Sequence, residues 1–363
     1  MLEKSDPLRA FVVLVLAIIL MVMVGWLLVI GKSVLMPIFI AVISVYVLLT
    51  ASEALGRLPV IGLLPQWTRR ALVLAIFVFA LLVLASVMVG TAEQVIARLP
   101  VYQKNLAAML SGILARFDIE EIPNLGTLIE SLWGRINLQR LAALGLGSVG
   151  SLAGVIFMAV VYATFLMAER GGFARKVAAA LPHDRASQTH SIVGEINRAI
   201  GEYLAVKTLV NIVLGALSYG VLRVFEVDFA LFWAVLIGLL NYIPYVGSLM
   251  GVAFPVLLTL AQYGSFQTTF FVALLLTTAQ MWVGNALEPR MIGRRINMSP
   301  FVVLVSLSVW SSLWGIPGAI LAIPLTSMFA IIMANFEGTR PIALMLADDV
   351  RAFEKNDGGG SES

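Results

Sequence analysis

The sequence predicts an all-α fold, a polytopic transmembrane helix bundle with two broken-helix (re-entrant) hairpins in its C-terminal half and a small extracytoplasmic helical insert. Three observations carry that prediction. Of 363 residues 60% are apolar and 12% charged, where a soluble chain would carry about a quarter charged residues to hydrate its surface. The apolar residues come as uncharged runs of membrane-spanning length, and mean hydropathy is +0.97. Finally, two C-terminal runs are too long for one crossing, and each is interrupted at its centre by proline and glycine.

In chain order, residues 10–30 meet the ~20 apolar residues that a bilayer crossing needs. This run is longer than a signal-peptide core and a second follows directly, so no cleaved leader is expected. Lys32 marks the turn into residues 34–51, and the polar loop 52–70 holds Glu53, Arg57, Arg69 and Arg70 among prolines. Residues 71–92 complete a set of three N-terminal transmembrane helices within 1–92. Residues 93–149 form the insert. Leu106, Met109, Leu110, Ile113, Leu114 and Phe117 line one helical stripe, and Leu125, Leu128, Ile129, Leu132, Trp133 and Ile136 another, so a helical hairpin broken near 118–124 is expected. A fourth span, 150–168, ends at Glu169-Arg170.

Residues 169–207 read as a cytoplasmic amphipathic segment rich in Arg and Lys, with Ile192, Ile196, Ile200, Tyr203 and Leu204 on one face. Such a helix can lie on the membrane surface or pack on the protein. The remainder, 208–347, is the C-terminal membrane half. Residues 208–222 are short for a span and continue the preceding helix, while 267–287 form a further span. On either side of 267–287 lie the uncharged stretches 229–263 and 301–336. At about 1.5 Å per residue, a straight helix over either would far exceed a ~30 Å hydrocarbon core. The first is interrupted at Asn241-Tyr-Ile-Pro-Tyr-Val-Gly-Ser248 and the second at Trp314-Gly-Ile-Pro-Gly318. Proline lacks the amide donor and glycine frees the backbone, so both interruptions are expected to be turns. The polar tail 348–363 is expected to be disordered.

Orientation supports the fold-back. With both termini cytoplasmic and each long stretch entering and leaving on one side, Arg57, Arg69 and Arg70, the basic 169–207 segment, and Arg290, Arg294 and Arg295 all fall inside, as the positive-inside bias requires. The net charge of +3 and pI near 9.2 therefore reflect topology, and no nucleic-acid partner is expected; the partner is the bilayer of the inner or plasma membrane.

The informative residues are polar ones at membrane depth. Irregular backbone survives there only where it faces protein or a watery cavity, and broken helices aim unpaired dipoles at the midplane. Candidate pathway residues are therefore Asn241, Tyr242, Pro244, Tyr245, Gly247 and Ser248 at the first break, and Gly315, Pro317 and Gly318 at the second. The polar groups at the first break can hydrogen-bond a solute or satisfy the turn itself. Gln280, Asn285 and Glu288 lie on or after the intervening span, with Asn211 a weaker candidate. A carboxylate near the membrane interior either couples to protons or a monovalent cation or pairs with a nearby base, here Arg290 or Arg294. Cysteine is absent and only two histidines, His183 and His190, occur, so no metal site and no cofactor is expected. No phosphate-cradling glycine loop, His-Glu-x-x-His helix or nucleophile elbow is found, so the chain is not expected to be an enzyme.

Four blocks of the C-terminal half carry a resemblance: Asn241-Tyr-Ile-Pro-Tyr-Val-Gly247, Leu287-Glu-Pro-Arg-Met-Ile-Gly293, Ser299-Pro300, and the stretch from Trp310 through Trp314-Gly-Ile-Pro-Gly318 to Pro324. In their order and spacing the sequence resembles the autoinducer-2 exporter family of bacterial membrane proteins. The resemblance implies a secondary transporter or exporter of a small polar solute in the bacterial inner membrane, working as a homo-oligomer. Some relatives are associated with export of the quorum-sensing signal autoinducer-2, others with sodium(lithium)/proton antiport. A membrane scaffold that transports nothing and binds a partner through its insert is the third reading.

Overall fold

The computed structural model describes residues 7–56, 63–116, 154, 157–158, 160–166, 183–292, 297–336 and 338–349. Every regular element among them is helical. Helices α1 (Pro7–Ile30) and α2 (Lys32–Gly56) are the first two predicted spans, joined at Gly31. Six helices among the described residues have the length and apolarity to cross a membrane.

The third span does not stop where the insert was expected to begin. Helix α3 runs from Gln66 to Arg116 as one element, so the first predicted insert helix is the continuation of the span. Its second half, 117–150, lies outside the described residues, as do 167–182. Of the fourth span, the described residues 160–166 are helical, and Ala163 packs on Ala41, Val45 and Leu49 of α2.

Helix α4 (His183–Val224) likewise joins the predicted amphipathic segment to residues 208–222 without interruption. One stripe explains this. Ile192, Ile196, Ile200 and Tyr203 are buried, and the same three-and-four spacing continues through Lys207, Asn211, Leu214 and Ser218, all buried too. Tyr46 of α2 donates a 2.5 Å hydrogen bond to Asn197 Oδ1, tying the stripe to the N-terminal helices.

Both long apolar stretches fold back on themselves. Helix α5 (Ala230–Leu240) and helix α6 (Val246–Tyr263) flank the first break. The far end of α6 is tied to the segment that leads into α5: Gln262 Nε2 donates to the Glu226 carbonyl at 2.9 Å, and the Tyr263 hydroxyl to the Phe225 carbonyl at 2.8 Å. After helix α7 (Phe266–Trp282), a π-helical turn (Val283–Leu287) and the short α8 (Glu288–Ile292) complete the intervening element. Helix α9 (Pro300–Trp314) and helix α10 (Ile316–Ala334) form the second hairpin, with Trp310 stacked on Phe329 and donating to Thr326 Oγ1 at 3.0 Å. Helix α11 (Arg340–Leu346) closes the described chain.

Close approach at each tip depends on one glycine. A Cβ on Gly247 would collide with the Leu240 carbonyl, and one on Gly318 with the Trp310 carbonyl. The tail, expected to be disordered from Asp348 onward, starts differently: the amides of Asp348 and Asp349 both donate to Asn297 Oδ1, at 3.0 and 2.7 Å. Residues 350–363 lie outside the described residues.

Candidate functional site

The tip of the first hairpin carries a polar cluster into an otherwise apolar interior. Asn241 is 6% exposed. Its Nδ2 donates to Asn211 Oδ1 of α4 at 2.8 Å, and its Oδ1 accepts from Gln280 Nε2 of α7 at 2.8 Å. Three amides from three elements thus form one chain. Its two ends are open: Asn211 Nδ2 and Gln280 Oε1 are buried and lack hydrogen-bond partners. An unmade buried hydrogen bond costs about 1–3 kcal/mol, so the open donor and acceptor are an energetic debt that a ligand can relieve. Beside the chain, the Tyr242 hydroxyl and Thr208 Oγ1 lie 2.7 Å apart.

One helical turn earlier on α4 lies the charged half of the cluster. Lys207 Nζ sits 2.5 Å from Glu288 Oε1, with Lys207 only 7% exposed. The sequence left Glu288 either titrating or paired with Arg290 or Arg294; the structure pairs it with Lys207. Glu288 is half-buried, and removing it strands the buried Lys207 charge, at a cost of about 3–5 kcal/mol.

The π-helical turn explains how Glu288 reaches this position. At ~100° per residue, Glu288 in a regular helix would point about 80° away from Gln280. The extra residue held by the turn, where the Glu288 amide donates to the Val283 carbonyl, brings the two to within about 20° of one face. Asn285, on the turn itself, is exposed and apart from the cluster.

The other candidates at the first tip build the turn. Ser248 Oγ donates to the Tyr245 carbonyl at 2.8 Å. Tyr245 adopts φ 59°, ψ −57°, and the Val246 amide donates to the Pro244 carbonyl at 2.6 Å. That is a γ-turn of the rare positive-φ kind, a strained conformation for a residue with a side chain. Gly247 serves the close approach described above.

The second tip is not part of the polar cluster. Gly315 (φ 67°, ψ −142°) occupies backbone space that only glycine enters easily, and Pro317 and Gly318 start α10. Trp314, 1% exposed, donates to the Leu28 carbonyl of α1 at 3.0 Å. The hairpins touch through Ile243, Leu307, Ala319 and Ile320, an apolar contact. Lys207 and Thr208, which sequence reasoning missed, were signalled by the stripe on α4: a lysine in register with Tyr203 and Asn211 has to be buried with them. Among the described residues no cluster of His, Asp or Glu could hold a metal ion.

The sequence profile described as AI-2E family transporter matches residues 15–338. The chain belongs to the AI-2E transporter family. Relatives of similar extent include a protein of Borreliella burgdorferi, 32% identical over 255 residues (69% of this chain, 68% of the relative). Another is YhhT of Escherichia coli, 32% identical over 285 residues (76% and 78%). Both carry the name "Putative transport protein". A third relative, the AI-2 transport protein TqsA of Escherichia coli, is 34% identical over 154 residues, 41% of this chain and 43% of its own length. The four sequence blocks thus identified the family correctly. A multi-pass helical membrane protein of a transporter family is the result.

Proposed function

We propose that this protein is a secondary transporter that exports a small polar solute, held at the tip of the first hairpin by the Gln280–Asn241–Asn211 chain. The observation that carries this reading is the pair of open, buried hydrogen-bonding groups at the ends of that chain, in a chain whose relatives are named as transport proteins. Autoinducer-2 is the first solute to test, because TqsA carries it in its name. The proposed setting is the bacterial inner membrane, with both termini cytoplasmic and, as the family resemblance implies, several copies assembled together. In it the first hairpin is re-entrant. Helix α5, with 11 residues, is about 16 Å long, half of a ~30 Å hydrocarbon core, so its tip ends near the midplane. Purified protein in liposomes preloaded with autoinducer-2 should release it faster than empty liposomes. Asn241→Ala should lower that release at least tenfold; release unchanged by the substitution removes the amide chain from the pathway.

A second reading, sodium(lithium)/proton antiport, is favoured by the part-buried Lys207–Glu288 pair. A proton on Glu288, or a monovalent cation in place of the lysine ammonium, breaks the pair, and such an exchange is the elementary step of coupling. Sodium-driven proton movement without solute supports it.

A further inference from the structure

Two cavities meet, and the second reaches the edge of the polar cluster. One, about 880 Å³, lies between α3 and the segment joining α4 to α5. The other, about 440 Å³, runs between α4 and α5 and is almost wholly apolar. Tyr219 and Leu231 line both. The first cavity contains two guanidiniums, Arg98 and Arg223, and two carboxylates, Glu226 and Asp228. Among the described residues neither arginine has an ion-pair partner, and Asp228 Oδ2 accepts from the Tyr102 hydroxyl at 2.8 Å. The second cavity is walled by small residues, Gly215, Ala216, Ala234 and Gly238, and ends at Thr208, Asn211 and Tyr242.

We infer that the two cavities together hold one phospholipid with a zwitterionic, ammonium-bearing headgroup, its phosphate on Arg98 and Arg223, its ammonium on Glu226 and Asp228, and one acyl chain along the groove between α4 and α5. Charge complementarity selects the headgroup: an anionic lipid would leave the two carboxylates facing negative charge, whereas phosphoethanolamine matches both signs and donates hydrogen bonds to them. Length selects a lipid over a free headgroup. From Arg223 to Thr208 along α4 is about 22 Å at the helical rise, close to one leaflet with its headgroup layer. An aromatic residue, Tyr219, sits where the polar and apolar parts join, as tyrosines do at membrane interfaces. The small side chains leave the furrow, and the apolar atoms of Thr208 and Tyr242 close it. The site needs only the placement of α4 across a bilayer; it adjoins the proposed solute site at Asn211, and lipid retention is read without any transport.

The test is native mass spectrometry of the detergent-purified full chain with phosphatidylethanolamine, phosphatidylglycerol or free phosphoethanolamine added. Phosphatidylethanolamine should stay bound preferentially, with free phosphoethanolamine giving no adduct. Arg223→Ala and Ala216→Phe, one in each cavity, should each reduce retained phosphatidylethanolamine about fivefold or more. Glu226→Gln should narrow the preference over phosphatidylglycerol. Val235→Phe fills the same furrow and replaces Ala216→Phe if that variant is unstable. Equal retention of the two lipids, an adduct with phosphoethanolamine alone, or retention unaffected by filling the groove overturns the inference.

Discussion

Lys207 and Glu288 are the residues on which the chemistry of the membrane half turns. Each is costly inside lipid alone, and together they are tolerable because their charges meet at 2.5 Å. This pairing sets how Glu288 must be tested. Glu288→Gln by itself leaves the Lys207 ammonium buried and is expected to lower stability by about 3–5 kcal/mol, visible as a fall in thermal midpoint. The double substitution Lys207→Met with Glu288→Gln should recover most of that loss, because no charge remains to be stranded. If the double variant keeps solute efflux but loses cation-coupled proton movement, the pair is the coupling device. A double variant no more stable than the single one would show that the two side chains do not depend on each other. Asn241→Ala, measured the same way, should cost about 1–3 kcal/mol by freeing Asn211 Oδ1 and Gln280 Nε2 at once.

Among the elements, the two hairpins have different requirements at their tips. The glycines are steric necessities: Gly247→Ala and Gly318→Ala each push a Cβ into a carbonyl of the opposite arm and should destabilise by about 1–3 kcal/mol. The half-buried Gly284, with nothing near its missing Cβ, is the control and should tolerate alanine. The π-helical turn is a positional device. Deleting Asn285 should return α7 and α8 to one regular helix in which Glu288 follows Gln280 by seven residues, still within about 20° of one face, so that the deletion keeps the Lys207 pair and, unlike Glu288→Gln, leaves the thermal midpoint close to that of the parent. At the other end of the first hairpin, burial and the bond to Asp228 raise the Tyr102 hydroxyl well above its ordinary value of 10. The folded protein therefore keeps that proton while the unfolded chain releases it above pH 10. Stability from this group is complete below pH 10 and falls as pH rises beyond it. Tyr102→Phe should flatten that alkaline decline in a pH series of thermal midpoints.

For the molecule as a whole, the fold-back of both long stretches means that their mouths open at opposite ends. The first mouth lies beside α3, where Asn105 donates to the Gln262 carbonyl; the second lies beside the start of α4, where Asn335 Nδ2 donates to Glu195 Oε2 at 3.5 Å. The chain has no cysteine, so single cysteines report without background. Phe266→Cys should react with an impermeant thiol reagent from outside the cell and Gly338→Cys only after the membrane is opened. Reaction of both from one side would contradict the arrangement.

Composition and pattern were enough, without any structure, to determine the class of molecule, the two breaks and the family. Hydrophobic length, proline and glycine act locally, and a run of apolar residues means the same in any context. Polarity at membrane depth also marked Asn241, Tyr242, Gln280 and Glu288, but could not say that these converge while Gly315, Pro317 and Gly318 stay apart at an apolar tip. Two facts made that a matter of tertiary structure. A π-turn changes the angular register of everything after it, and nothing in Val-Gly-Asn-Ala-Leu declares it. Burial of Lys207 depends on α4 running unbroken from the polar segment into the apolar one, so a residue assigned by its neighbours to the cytoplasm sits in the interior. A charge partner is chosen by which helices pack together, and that choice is made in space.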